Sequence, residues 1–159
     1  MSNMLHDALF MPLANREAPL LFTPQGKTIT GREFYSLIRR YAATLAALGL
    51  APGDRLAVQI AKSPEALALY GAAVTSGVVF LPLNTAYTAA EVSYFVEDSG
   101  AKLLIGDAGQ AELLQPVADN IGALFLTMNA DGSGSFADTA EVQSDDFVPV
   151  ARGPQDLAA

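Results

Sequence analysis

The sequence predicts an α/β fold in which a mostly parallel sheet is covered by helices on both faces. Segments typical of strands and of helices alternate at least three times along the chain, with short connections between them. Two strand-like runs, 78–81 and 103–105, are apolar without alternation, as expected for strands buried on both faces. This order favours right-handed βαβ units on a parallel sheet.

The chain begins with a predicted hairpin and a long helix. Two short strands, 20–23 and 27–30, flank a turn that contains Gly26. Thr30 and Glu33 form a T-x-x-E capping box, in which each side chain satisfies a free backbone N–H at the start of a helix. The apolar residues that follow recur at helical spacing, and Gly49 occupies the position that ends the helix.

A second strand–helix unit follows. Residues 56–60 are predicted to form a strand, and Ser63 and Pro64 suit the N-cap and the first position of the next helix. That helix ends at Gly77, and the apolar run 78–81 is the next strand.

The remaining units repeat the pattern. Thr88 and Glu91 form a second capping box, and the helix they start is followed by strand 103–105. Residues 109–120 are predicted to form a weaker helix because Pro116 interrupts the pattern. Residues 124–126 are a final short strand, and 131–135 are a polar loop. We expect residues 1–150 to form one α/β subdomain and 151–159 to be a connection.

Composition limits the class of protein. A length of 159 residues suits a single domain, for which roughly 100–200 residues is usual. The chain is 51% hydrophobic, has a mean hydropathy of +0.28 and is only 16% charged. No apolar run reaches the ~18 residues needed to span a bilayer. We therefore interpret the sequence as part of a larger structure, with apolar faces that can drive self-association.

The charge and the cysteine content exclude several functions. The net charge is −8 and no basic stripe is present, so nucleic acid is not an expected partner. The absence of cysteine removes disulfides, thiolate metal sites and cysteine nucleophiles. The N-terminus has no basic region followed by an apolar one, which predicts a cytoplasmic protein without a secretory signal.

No standard catalytic or nucleotide-binding motif occurs. Neither G-x-G-x-x-G nor G-x-x-x-x-G-K-[ST] is present, and the glycines at 106–109 and 132–134 are typical of an ordinary βα turn and of a flexible loop. His6, the single histidine, is predicted to be exposed in a disordered start. The adjacent carboxylates at 97–98 and 145–146 are expected on solvated faces. We assign no catalytic, cofactor-binding or metal-binding residue.

One group of residues is placed where α/β proteins bind ligands. In an open parallel sheet, ligands gather beyond the carboxyl ends of the strands. The side chains expected at that edge are Gln59, Lys62, Ser63, Asn84, Thr85, Tyr87 and Asp107. Lys62, near a helix N-terminus, could contact an anion. The alternative is purely structural: Ser63 caps a helix, Asn84 forms a turn and Tyr87 packs.

Three segments give the sequence a family resemblance. They are 28–34 (TITGREF), 50–57 (LAPGDRLA) and 77–84 (GVVFLPLN). They resemble the amino-terminal subdomain of AMP-forming acyl-CoA synthetases, members of the adenylate-forming superfamily, with Ser76 where the family usually has alanine. Segments 62–70 (KSPEALALY) and 81–88 (LPLNTAYT) are most similar to malonyl-CoA synthetases. The resemblance covers nearly the whole chain.

The resemblance implies a ligase that uses ATP, Mg²⁺ and CoA. In that family a carboxylate, here malonate or a similar small acid, attacks the α-phosphate of ATP, and CoA then displaces AMP from the acyl-adenylate. The phosphate-binding loop with its lysine and the later acidic motifs lie outside this stretch, so no catalytic residue is carried over and the chain alone is expected to be inactive. Two alternatives remain: a stand-alone binding or scaffold module, and a Rossmann dinucleotide enzyme, which the missing glycine motif disfavours.

Overall fold

The computed structural model describes residues 2–159. Within this part, the strands are β1 Pro19–Phe22, β2 Thr28–Thr30, β3 Arg55–Gln59, β4 Val79–Pro82, β5 Leu103–Gly106 and β6 Leu124–Thr127. The helices are α1 Met4–Leu9, α2 Gly31–Ala47, α3 Pro64–Ser76, α4 Ala89–Ser99, α5 Ala111–Ile121 and α6 Ser135–Glu141. Short 3-10 turns occupy Met11–Leu13 and Ala108–Gln110.

The main sheet has the predicted parallel arrangement. Its strand order is β4-β3-β5-β6, with every neighbouring pair parallel, while β1 and β2 form a separate antiparallel hairpin. One hydrophobic cluster joins α2, α3 and α6 to one face of the sheet, and a second cluster joins α4 and α5 to the other. The predicted α/β fold with helices on both faces is confirmed.

The predicted helix starts are confirmed atom by atom. Thr30 Oγ1 accepts from the Glu33 N–H at 3.1 Å, while Glu33 Oε2 accepts from the Thr30 N–H at 2.8 Å. Thr88 and Glu91 repeat the arrangement at 3.4 and 2.8 Å. Ser63 Oγ accepts from the Ala66 N–H at 3.0 Å. Each cap satisfies an N–H that the helix cannot pair internally, so local sequence alone fixes these starts.

The prediction that the run 78–81 is a strand buried on both faces was confirmed only in part: Val79 is buried, while Phe80 and Leu81 pack against the hydrophobic clusters on opposite faces of the sheet. The strand forms, but β4 lies at the edge of the sheet, where Phe80 and Leu81 are half-buried and Pro82 is exposed. The final residues of the chain return to this edge, and the Phe80 N–H donates to the Ala158 carbonyl at 2.9 Å. An apolar run therefore indicated a strand but not its position in the sheet.

Three helical features departed from prediction. The short helices α1 and α6 were not predicted, because each is only one or two turns long and carries little periodic signal. Pro116 lies inside α5 rather than interrupting it. Pro116 is exposed, so the carbonyl that loses its intrahelical N–H partner can bond to water.

The prediction for His6 was also wrong, because this residue is buried in α1 with 2% of its surface exposed. Its Nδ1 lies 3.0 Å from Asp7 Oδ1 and its Nε2 lies 3.3 Å from the Tyr35 hydroxyl. Asn3 caps the same helix through its side-chain oxygen, which accepts from the His6 N–H. These bonds satisfy the imidazole within the N-terminal helix and give His6 a structural role.

Asn3 joins distant parts of the chain. Its side-chain Nδ2 donates to the carbonyl of Val74 at 2.8 Å and to that of Val150 at 2.9 Å, and the residue is 4% exposed. The first turn of the fold, the end of α3 and the C-terminal stretch therefore meet at one side chain. Across residues 2–159, no helix combines the length and the apolar character that crossing a bilayer requires.

Candidate functional site

The register of the sheet brings the predicted ligand-binding residues to one edge. Val58 pairs with Pro82, Gln59 with Gly106, and Gly106 with Thr127, so β3, β4, β5 and β6 end at nearly the same level. Because the strands are parallel, the residues after each of them share the carboxyl edge of the sheet, as the sequence predicted.

Gln59 holds the turn that follows β4. Its side chain is buried, and its Nε2 donates to the carbonyls of Asn84 at 2.9 Å and Tyr87 at 3.0 Å. Asn84 Oδ1 in turn accepts from the Ala86 N–H at 2.9 Å, while Thr85 is exposed in the same turn. The turn is thereby fixed to the end of β3, and both amide hydrogens of Gln59 are engaged within the protein.

The other polar residues at the edge also have internal partners. Ser63 caps α3, and Asp107 Oδ1 accepts from the Gly109 N–H at 2.8 Å. The ring of Tyr87 stacks on Phe95, with centroids 5.3 Å apart and planes inclined by 23°. The structure therefore supports the structural alternative for Ser63, Asn84 and Tyr87, in which capping, turn formation and packing account for the residue types.

Lys62 differs from its neighbours, because its exposed side chain lies between two cavities. One, of about 530 Å³, is almost entirely apolar and is lined in part by Phe22, Leu67 and Phe80. The other, of about 680 Å³, also contains Lys27 and two carboxylates, Glu65 and Asp131. Since the second cavity holds charges of both signs, its lining does not select an anion.

The glycines near this edge are explained by packing. A Cβ on Gly106 would lie 2.5 Å from Leu114 Cδ1 and 3.2 Å from Phe125 Cε2, so any other residue here would displace the Leu114 side chain of α5. Gly132 has φ +82° and sits against the Glu65 side chain, where an added Cβ would lie 2.6 Å from Glu65 Cδ. Loop flexibility alone, which the sequence suggested for residues 132–134, is therefore not the reason for this glycine.

Asn129 belongs to the same edge and was not predicted from the sequence. Its Oδ1 accepts from the Ala108 N–H at 3.0 Å, and its Nδ2 donates to Ser133 Oγ at 3.0 Å, which joins the loops after β5 and β6. The sequence does carry a signal, because Asn129, like Asn84, is an asparagine shortly after a strand. Ser133 also bonds to Asp131, and that bond lowers the pKa of the Asp131 carboxyl.

Three further ionisable groups, Tyr41, Asp145 and Glu97, have environments that burial or a neighbouring serine explains. Burial raises the pKa of Tyr41 to about 12, with a smaller contribution from Glu65. Ser36 donates to Asp145 and lowers its pKa, and Ser93 donates to Glu97 at 3.0 Å. Both carboxylates are exposed, as the sequence predicted for these acidic pairs.

The described residues do not by themselves fit ATP and Mg²⁺. Over residues 2–159, no group of three or more His, Cys, Asp or Glu side chains could hold a metal ion. Backbone groups of neighbouring residues already engage one polar atom of each of four side chains at this edge: Gln59 Nε2, Ser63 Oγ, Asn84 Oδ1 and Asp107 Oδ1. The edge can therefore form one wall of a ligand site, with the exposed Lys62 beside it, but one lysine does not supply the several donors that a triphosphate requires.

Comparison with known proteins gives consistent matches. Residues 13–159 match the family model described as AMP-binding enzyme. The long-chain-fatty-acid–CoA ligase FadD13 of Mycobacterium tuberculosis is 38% identical over 110 residues, which cover 69% of this chain and 20% of the ligase.

Solved structures extend the similarity to the whole fold. ATP-bound MatB from Rhodopseudomonas palustris, a malonyl-CoA synthetase, superposes with a TM-score of 0.95 and 39% identity over 99% of this chain and 31% of MatB. The N-terminal domain of FACL13 from Mycobacterium tuberculosis gives a TM-score of 0.82 and 29% identity, covering 98% of this chain and 40% of that domain. This chain thus spans about a fifth of FadD13 and about a third of MatB.

Proposed function

The chain belongs to the AMP-binding enzyme family, and from that premise we propose that it is the amino-terminal subdomain of an AMP-forming acid–CoA ligase. In the proposed reaction a carboxylate oxygen attacks the α-phosphorus of ATP and pyrophosphate leaves. The CoA sulfur then attacks the acyl carbonyl, and AMP leaves. We propose malonate or a related small acid as the substrate, and residues 1–150 as the subdomain.

The single observation that carries this proposal is the superposition on MatB over nearly the whole chain. It supports malonate over the long-chain acids named for FadD13, because MatB is 39% identical over 99% of this chain, whereas FadD13 is 38% identical over 69% of it. The same comparison supports the proposal that these 159 residues are inactive alone, since they correspond to about a third of MatB and do not fit ATP and Mg²⁺ by themselves.

In this proposal the chain supplies structure rather than reacting groups. Gln59 fixes the turn from Asn84 to Tyr87 at the carboxyl edge. A rigid wall at this edge would help to orient substrates bound by residues elsewhere in the ligase, since precise positioning contributes strongly to catalysis. ATP, Mg²⁺ and CoA would be held mainly by those other residues.

Malonate-dependent exchange of pyrophosphate into ATP tests the proposal. The 159-residue chain alone should give no exchange above the protein-free background. A chimera in which this chain replaces the matched segment of R. palustris MatB should restore exchange, whereas MatB lacking that segment should not. Exchange by the chain alone, or a folded but inactive chimera, would contradict the proposal. The identity of the acid is tested separately. Malonate, oxalate and a long-chain fatty acid are each offered as the substrate to the protein that the gene encodes when it is read past Ala159, and their rates of pyrophosphate exchange are compared.

A stand-alone binding module is the second candidate. It is favoured by large apolar side chains that remain exposed on this chain, including Phe22 at 73%, Tyr94 at 64% and Leu113 at 57%. A module of this kind would cover these side chains with a partner or with a second copy. Sedimentation of the isolated chain tests self-association, which a monomer at high concentration would oppose. The gene sequence gives a second test, because a native stop codon after Ala159 would favour the stand-alone module.

A further inference from the structure

We infer that the N-terminal helix acts as a clasp for the C-terminal stretch, and that the side chain of Asn3 closes it. The terminal clasp consists of residues 2–9, which hold residues 150–158 beside the end of α3. Opening the clasp releases the stretch while α1 and the sheet stay folded. The inference goes beyond the proposed function and does not depend on ligase activity.

The bonds of Asn3 explain why this position carries an amide. A helix cap needs only an acceptor, which serine or aspartate also provides, and Asn3 Oδ1 supplies it by accepting from the His6 N–H at 3.1 Å. An amide adds two hydrogens on the same short side chain. Nδ2 donates them to the Val74 carbonyl at 2.8 Å and to the Val150 carbonyl at 2.9 Å. Capping alone therefore does not account for asparagine, whereas the link between α3 and the C-terminal stretch does.

Residues 2–9 are the fixed half of the clasp. His6 is 2% exposed, and its ring nitrogens lie 3.0 Å from Asp7 Oδ1 and 3.3 Å from the hydroxyl of Tyr35 in α2. Leu5 packs against the hydrophobic cluster that joins α2 and α3 to the sheet. These contacts attach α1 to the body of the fold without the C-terminal stretch.

Residues 150–158 are the movable half. Among the described residues, no helix or strand follows α6, which ends at Glu141. The Val150 N–H donates to the Thr75 carbonyl at 2.9 Å, and the Arg152 N–H donates to the Ser2 carbonyl at 3.1 Å. Arg152 also pairs with Asn3 as an isolated parallel bridge. The N-terminal segment therefore supplies most of the bonds that hold the start of the stretch.

Packing between the two halves is incomplete. A cavity of about 430 Å³ lies between them, lined in part by Leu5 and Ala8 of α1 and by Arg152 and Leu157 of the stretch. Within the described residues the buried Nε of Arg152 has no hydrogen-bond partner, and Asp156 Oδ2 lies 3.6 Å away. An unpaired buried donor and missing apolar contacts both cost free energy. The hydrogen bonds of Asn3, rather than apolar burial, therefore keep the clasp closed.

The clasp lies at the edge of the sheet opposite the candidate ligand edge. Arg152 packs beside Gly77, just before β4 begins at Val79, and so at the amino edge. In the proposed ligase the stretch leads toward the residues that carry the reacting groups, and a closed clasp fixes where they join this subdomain. This one consequence rests on the proposed function, whereas the clasp itself does not.

Hydrogen exchange of the 159-residue chain tests the clasp. Asn3→Ser and Asn3→Asp each keep a capping oxygen and lose the amide donor. In both variants the Val150 and Arg152 amides should exchange about tenfold faster, because the bonds that hold the stretch to Asn3 are lost. The Phe10 amide, which donates to the His6 carbonyl at the end of α1, should keep its protection. Asn84→Ser is the same change at the opposite edge, and this matched control should leave all three amides unaffected.

Trypsin gives a second measurement, because Arg152 is a cleavage site within the stretch. Cleavage after Arg152 requires its backbone to leave the clasp, so its initial rate should rise about tenfold in the two Asn3 variants. Lys62, exposed in the loop before α3, is an internal control whose cleavage rate should not change. Mass spectrometry of the released peptides distinguishes the two sites.

Three results would overturn the inference. Unchanged exchange and cleavage in both Asn3 variants would mean that Asn3 does not hold the stretch. Equal acceleration of the Phe10 amide would reduce Asn3 to a helix cap, and equal acceleration of cleavage at Lys62 would show general destabilisation. Failure of the proposed function is distinguishable, because these measurements do not involve ligase activity and a clasp that opens selectively can coexist with an inactive MatB chimera.

Discussion

Replacing Gln59 by leucine tests whether this one side chain holds the turn at the carboxyl edge of the sheet. The change keeps a buried side chain of similar size but removes the Nε2 donor. The carbonyls of Asn84 and Tyr87 then lose bonds of 2.9 and 3.0 Å. The turn should loosen, while the sheet behind it stays intact.

The expected loss follows from these two bonds. A neutral hydrogen bond contributes about 1 kcal/mol net, and more when a buried partner is left unpaired. Since Gln59 is only 6% exposed but the turn borders solvent, water can reach part of the site after the change. We therefore expect a loss of about 2 kcal/mol, which for a chain of this length lowers Tm by about 4–8 °C.

Urea unfolding followed by circular dichroism measures this loss, with the m-value expected to remain constant. Two matched variants at the same edge serve as controls. Asn84→Ala keeps its carbonyl and loses only the bond from Ala86, so it should lose about 1 kcal/mol. Lys62→Ala removes an exposed side chain and should stay within about 0.5 kcal/mol of the parent. A Gln59→Leu variant as stable as Lys62→Ala would refute the assignment.

Three further perturbations follow from helix caps and packing. Thr88→Ala removes an N-cap bond and should cost about 1 kcal/mol in urea unfolding; no change would mean that the cap contributes nothing. Gly71→Ala places a Cβ 2.7 Å from Ile38 Cδ1, so it should destabilise by about 1–3 kcal/mol although alanine favours helices; increased stability would contradict this packing. Bonds to the capping threonines lower the folded-state pKa of Glu33 and Glu91, so their stabilisation is present above the unfolded pKa and is lost as pH falls through the folded pKa. In the Glu33→Gln/Glu91→Gln double variant, the free energy of unfolding should therefore depend less on pH in the acidic range. An unchanged pH dependence would count against a stabilising role of the two capping carboxylates.

The elements that sequence predicted well are those with local causes. Capping boxes at Thr30 and Thr88 and the N-cap at Ser63 depend on contacts within three residues, so short-range chemistry determines them. Apolar strand-like runs alternate with helices along the sequence, and this pattern together with the caps was sufficient to predict the α/β fold class. The shared carboxyl edge followed because parallel topology aligns strand ends.

The features that sequence missed depend on distant parts of the chain. The burial of His6 requires Tyr35, a residue 29 positions away, and the edge position of β4 depends on the order of all four strands. Within the candidate site, the sequence predicts that Gln59 and Asn84 share the carboxyl edge, but it does not predict the hydrogen bond between them. A glutamine at a strand end has many available partners, and only the folded turn selects one.

The Asn3 bridge has a consequence for biosynthesis. Its two acceptors, the carbonyls of Val74 and Val150, lie 71 and 147 residues after Asn3 in the sequence. The bond to Val150 therefore joins two residues near opposite ends of the described chain. During synthesis, the start of α1 must wait for residue 150 to leave the ribosome before that contact can form. Contacts between residues so far apart in sequence slow folding. The chain loses the entropy of closing the long loop before the contact contributes any stabilisation. One anchor of the N-terminal helix, the bond to Val150, therefore forms late, although the helix itself is synthesised first.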